Sequence, residues 1–248
     1  MKVVKELHIT TMTNIRIDKL AKKAKESREL ALASSTSDQP LLTGTNSTTC
    51  RHICFINANL PEELQEDRRW SKQMLPTLLM WAGSFPDPWA IPDLELMTAL
   101  RIIMTSLVSD FNSHVCPGMP TFMLATWQLG LWHSNFSSTA ITLIAHFLAS
   151  DPDDDAQSAT AVRWTCNELI DGLLSFLYQD LDATNLAHAY QSHFILQLFA
   201  HAHLWPCIRC PDIPGLGTNA MKKHAVRGVL SLCAAAVHNS LSVIDLQF

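Results

Sequence analysis

The stretch "LELMTALRIIMTSLVSDF", residues 94–111, decides the fold class. Met97, Leu100, Met104, Leu107 and Phe111 recur at three- and four-residue steps, and Ile103 widens the stripe. Glu95, Arg101, Thr105 and Ser109 fall on the other side. That period gathers apolar side chains on one face of a helix, whereas a strand would alternate them. The Pro-dense connector "SFPDPWAIPD" (84–93) precedes it, so the helix is expected to start at Pro92 or Asp93.

Working outward, the same texture repeats. "PEELQEDRRWSKQMLPTLLMWAG" (61–83) opens with proline and acids, as helix N-termini do, and Gly83 is a natural stop. Pro76 is expected to kink that helix or split it in two. "PGMP" (117–120) punctuates the other flank. Two helices are expected next, Thr121 to His133 and about Ser137 to Ala149, separated by the polar run "HSNFSST" (133–139). Residues 156–179 place Cys166, Leu169, Ile170, Leu173 and Leu177 on one face. Residues 186–204 are apolar nearly all round, which predicts the central helix. Residues 219–246 close the chain, with Met221, Ala225, Val229, Cys233, Ala236 and Ser240 as a small-residue stripe suited to close packing. A short strand at "HICFI" (52–56) is the one exception considered. The expectation is an all-α single domain of about seven to eight helices over 56–248.

Residues 1–55 read differently. "NIRIDKLAKKAKESRELALA" (14–33) is rich in helix formers but too thin in apolar positions for a core face. "SSTSDQPLLTGTNSTT" (34–49) has linker composition. A flexible, partly helical basic arm is expected. Residues 1–33 carry eight Lys/Arg against four Asp/Glu, while the rest carries ten against nineteen. Nucleic acid is therefore a candidate partner only through residues 16–28.

Composition bounds the remainder. The 248 residues are 48% hydrophobic and 17% charged, with net charge −5. No Lys, Arg, Asp or Glu occurs from Asn112 to Ser150. The apolar run "FMLATWQLGLW" is nevertheless shorter than the roughly 20 residues of a spanning helix, so buried core helices are expected and no membrane span. Seven cysteines without an apolar leader point to free thiols in a reducing compartment, cytoplasmic or nuclear, and not to a secreted protein.

Chemistry-bearing motifs are few. "AHAHLWPCIRCP" (200–211) combines two histidines with a Cys-x-x-Cys pair. His201 and His203 stand about 200° apart on a helix, so only one can join Cys207 and Cys210 on a metal. Packed thiols at a helix end are the leading expectation; the alternative is a metal held by His201, Cys207 and Cys210. Pro211 and Pro214 oppose the long helix that a redox Cys-x-x-Cys requires. "DPDDD" (151–155) with "NELID" (167–171) superficially suggests a metal-dependent isoprenoid synthase. The acids stand in a turn, however, and a helix cap explains them. In "PGLGTNAMKKHAVRG" (214–228), Lys222, Lys223 and Arg227 stand near a helix start, where cations oppose the dipole. A charged outer face of an otherwise apolar helix is the leading reading; the alternative is a bound anion or an acidic partner at Gly215, Gly217 and Thr218, with Lys223 and Arg227 sharing one face (i, i+4). No catalytic residue is selected and no cofactor motif is present.

Three longer phrases carry a resemblance: "RRWSKQMLPTLLMWAGSFPDPWAIPD", "WHSNFSSTAITLIAHFL" and "FLYQDLDATNLAHAYQSHFILQLFAHAHL". They resemble a family of uncharacterised proteins of mushroom-forming fungi, domain of unknown function 6532, over about Glu63 to Asp245. In that family an Arg-Ser pair often precedes a Gly-Ser-Thr-Ala run. Here the place reads His133-Ser134 before Ser137-Ser138-Thr139-Ala140, a partial match. The resemblance implies a nuclear or cytoplasmic fungal protein and carries over no site residue or reaction. The leading functional expectation is a non-enzymatic helical interaction or scaffold domain with a protein partner. An enzyme or small-molecule or anion binder, with a pocket inside the bundle, is the alternative. A nucleic-acid- or chromatin-associated protein using its arm is the second.

Overall fold

In the computed structural model, the described residues are 55–108, 115–150, 158–224 and 226–247, with side-chain surroundings to 244. The chain divides between His52 and Ile53 into two units, and everything below concerns the second. The basic arm, the linker, residues 52–54 of "HICFI", Phe111, "DPDDD" and Ala225 lie outside the described residues.

The described residues are all-α. After a single turn at Glu62–Gln65 come α1 (Leu75–Ser84), α2 (Asp93–Leu107), α3 (Pro120–Ala149), α4 (Ala159–Ile170), α5 (His193–Phe199), α6 (Thr218–His224) and α7 (Arg227–Gln247). Among them there is no strand, only one isolated antiparallel bridge between Tyr178 and Ala189.

The helix that opened the reading runs from Asp93, with Pro92 as its N-cap residue. Its buried stripe is Leu96, Ala99, Leu100, Ile103 and Met104, with Met97 and Leu107 half-buried. Glu95, Arg101 and Thr105 face solvent as expected.

Pro76 does not break its helix. Asp67 and Arg68 take positive φ (49° and 57°) and interrupt the chain upstream instead. A π turn, Trp70–Met74, then leads into α1, with the Leu75 N–H donating to the Trp70 carbonyl. Pro76 sits at the second residue of the α segment, where a missing N–H is tolerated. The wider turn before it leaves room for the ring. The helix ends at Ser84, one residue past Gly83, and the glycine also serves a second purpose. It lies inside α1, and a Cβ there would stand 2.5 Å from Val229 Cγ2 and 2.6 Å from His203 Cε1. Gly228 is its counterpart: a Cβ would collide with the Phe85 carbonyl oxygen. The two glycines let the end of α1 and the start of α7 touch nearly backbone to backbone.

The two helices expected between 121 and 149 are one. The "HSNFSST" run accommodates a helix because its hydroxyls bond back along it: Ser134 Oγ to Gly130 O at 3.0 Å and Ser138 Oγ to Asn135 O at 3.2 Å. The apolar stripe also passes through it unbroken, as Ala125, Leu129, Trp132, Phe136, Ala140 and Ile144. Conversely, the helix expected over 156–179 ends at Ile170. Gly172 (φ 64°) turns the chain, Leu173 is exposed, and Phe176 and Leu177 enter the core from a 3₁₀ turn.

The central helix is α7, not 186–204. Val229, Leu232, Cys233, Val237 and Leu241 are fully buried, and α7 packs on α3, α4, α5 and α1. The small-residue stripe holds from Val229 through Cys233, Ala236 and Ser240, while Met221 belongs to the separate helix α6. Residues 186–204 divide at Ser192, whose Oγ accepts the Ile195 N–H at 3.2 Å and starts α5. By length and composition Arg227–Ile244 alone, among the described residues, could cross a membrane; here it is the packed core helix.

Candidate functional site

Beyond Phe199, α5 continues through a π turn at Ala200–Leu204 and a last turn at Trp205–Cys207. The pattern repeats that of α1. The Trp205 N–H donates to Ala200 O, five residues back, and Pro206 follows at once. Pro206 has no N–H for the carbonyl four residues earlier, that of Ala202. Trp132 of α3 supplies the donor: its Nε1–H bonds Ala202 O at 3.1 Å in a buried setting. The proline-induced vacancy thus ties the π turn to the longest helix.

The turn separates the two histidines as their spacing requires. His201 faces solvent, while His203 is 1% exposed. The His203 ring lies against Phe199 (centroids 5.7 Å apart) and Trp132 (5.8 Å) and covers Gly83. Its Nδ1 is 3.8 Å from Cys207 Sγ. So the structure joins His203 to Cys207 and leaves His201 facing solvent. This corrects the candidate metal set: among the described residues no three His, Cys, Asp or Glu side chains form a ligand group.

Electrostatics fit packing better than nucleophilic chemistry. Burial pushes the His203 pKa down to about 4 and the Cys207 thiol up to about 12. Burial also raises Cys210, partly offset by a hydrogen bond with Thr77. A reactive thiolate–imidazolium pair needs the opposite order, with the thiol more acidic than the imidazolium. His203 and Cys207 are neutral neighbours at neutral pH. Cys210 and Cys207 pack with Met80 in a small apolar cluster.

The expected anion loop is already satisfied internally. Ile213 N donates to Thr218 Oγ1 at 2.7 Å, and Gly217 N donates to Ile213 O at 3.0 Å. Thr218 Oγ1 and Asn219 Nδ2 both hold the Asp212 carboxylate, at 3.3 and 2.7 Å. A carboxylate of the chain itself therefore occupies the start of α6. Lys223 and Arg227 do not share a helical face, because α6 ends at His224 and α7 begins at Arg227. Lys222 is the engaged cation, donating to Cys210 O at 2.8 Å. Gly215, Gly217, Thr218, Lys223 and Arg227 thus form no convergent anion site.

What the structure does assemble here is an open cleft of about 390 Å³ between the end of α5 and the region of α6. Met80 and Met221 line it, with Leu204, Trp205, Ile208 and Lys222 among its other walls. Trp205 is 74% exposed and Ile208 71%. Sequence reading missed both, because "LWPCI" looks like any apolar helix end. Comparison with models of known families, with curated proteins and with solved structures finds no match to this chain.

Proposed function

We propose that this chain is a non-enzymatic helical interaction domain whose partner is another protein. The observation that supports the reading is large apolar side chains held out in solvent on rigid helices. On α3, Met123, Trp127 and Leu131 stand outward at four-residue spacing. On α5 and its continuation, Leu196, Leu204, Trp205 and Ile208 do the same. Collected exposed aromatic and aliphatic groups of this kind characterise binding faces. Gly130 adds to this. It sits mid-helix, where glycine is disfavoured by about 1 kcal/mol, yet nothing within the chain approaches the place where its Cβ would be. An open approach to the α3 backbone is what a docking partner uses.

The phrases that resemble domain of unknown function 6532 support placement in that fungal family and an intracellular site of action. Free thiols at Cys116, Cys207, Cys210 and Cys233 suit a reducing compartment. The small-molecule alternative rests on the cleft beside Lys222, and the nucleic-acid alternative on residues 16–28, outside the described residues. Site-specific photo-crosslinkers at positions 127, 205 and 98 in the native cells test the reading. Discrete protein adducts at 127 or 205, and none at the exposed polar control Thr98, are expected. Absence of adducts from both, with a small molecule retained by the purified protein, would overturn it.

A further inference from the structure

We infer that the cleft at the end of α5 is a docking groove for an acidic amphipathic helix of a partner protein. The inference rests on the interaction reading above and names the place and the partner's chemistry.

Three observations converge on it. First, the outer face of α5 and its continuation carries Leu196, Ala200, Leu204 and Ile208 at successive four-residue steps, all exposed. This ridge runs into the cleft, since Ala200, Leu204 and Ile208 are among its walls. Its length, twelve residues of helix, is about 18 Å, enough for three turns of a partner helix with anchors at i, i+4 and i+7. Second, Met80 and Met221 line the cleft, and unbranched thioether side chains adapt to an incoming apolar anchor. Third, the charge is one-sided. From Ala200 to Val243 the chain carries Arg209, Lys222, Lys223 and Arg227 against a single acid, Asp212. That acid is held by Thr218 and Asn219. Lys222 lines the cleft, and Arg209, Lys223 and Arg227 are each next in sequence to a lining residue and exposed. Lys222 in the cleft wall and the excess of cations along this segment, on a chain of net charge −5, favour an acidic partner. The concave shape favours a helix over a flat bilayer, and no strand edge is present among the described residues for an extended peptide to join.

The test is selection of a phage-displayed library of random 16-residue peptides on the full chain, followed by titration of the strongest peptide. Enriched sequences should be net acidic, with apolar residues at helical spacing. Trp205→Ala and Lys222→Glu/Lys223→Glu should each weaken binding about tenfold or more, while Trp164→Ala, an exposed tryptophan on α4, leaves it unchanged. Trp205 is exposed, so its replacement leaves the fold intact; circular dichroism checks this. Enriched peptides without acidic bias, no enriched peptide, or affinity retained in Trp205→Ala would overturn the groove. Affinity lost only in Trp127→Ala moves the interaction to α3, overturning the groove but not the interaction reading. Pelleting with phosphatidylcholine–phosphatidylserine vesicles, abolished in Trp205→Ala, overturns it in favour of a lipid surface.

Discussion

Replacing Trp132 by Phe tests the link between Pro206 and α3. Trp132 is buried, and its Nε1–H is a donor to Ala202 O at 3.1 Å. Phenylalanine keeps an aromatic ring against Phe136 and His203 but removes the donor. A buried carbonyl losing its partner costs about 1–3 kcal/mol, and the smaller ring adds about 1 kcal/mol of lost packing. The expected total is about 2–4 kcal/mol, read by urea unfolding followed by far-ultraviolet circular dichroism. The informative background is Pro206→Ala. An alanine N–H at 206 can reach Ala202 O four residues back, giving that carbonyl a second donor. Trp132→Phe should then cost about 1 kcal/mol less than it does in the parent. Strict additivity in this double-mutant cycle would show that the indole is not compensating for the proline, and the physical reason given for the π turn would fall.

The three glycines should respond in opposite directions. Gly130→Ala, with open space around it, should stabilise by about 0.5–1 kcal/mol, whereas Gly83→Ala and Gly228→Ala should lower the Tm by many degrees; a uniform response refutes the close-approach account. His203 titrates near pH 4 when folded and near 6.5 otherwise, so the unfolded chain binds the proton first. Its contribution is present above pH 6.5 and is lost as pH falls toward 4, by about 3 kcal/mol. The pH slope of urea midpoints should flatten in His203→Leu; an unchanged slope assigns the effect elsewhere. Native thiol labelling should reach half-buried Cys116 before Cys166, Cys207, Cys210 and Cys233, as mass spectrometry of labelled peptides would show; early labelling of Cys207 would contradict its burial.

The parts of the fold that could be read from sequence were those where periodicity and packing agree. The stripe on α2 is an example, as are the small residues from Val229 to Ser240, because a core face leaves a 3.6-residue trace. Breaks were misread where local chemistry has two outcomes. Serine and threonine in "HSNFSST" resemble a loop, yet Ser134 and Ser138 bond back to their own helix, and Phe136 and Ala140 hold the stripe in place. Pro76 and Pro206 resemble breakers, but each follows a π turn that accommodates it. Gly83 reads as a stop, one residue before its helix ends, and is also a contact. The cysteine pair was legible as packed thiols, but its histidine neighbour was chosen wrongly, since which of His201 and His203 faces inward depends on the register of the π turn. The cleft was not legible at all. Exposure of Trp205 and Ile208 depends on what the rest of the chain leaves uncovered, and no local pattern encodes that.

Hydrogen–deuterium exchange of the full chain, with and without the strongest selected acidic peptide, tests the central claim most directly. The expected result is slowed exchange confined to residues 200–209 and 218–224, around the cleft, with α3 unchanged. Slowed exchange along Pro120–Thr142 instead, or none anywhere at saturating peptide, would contradict it.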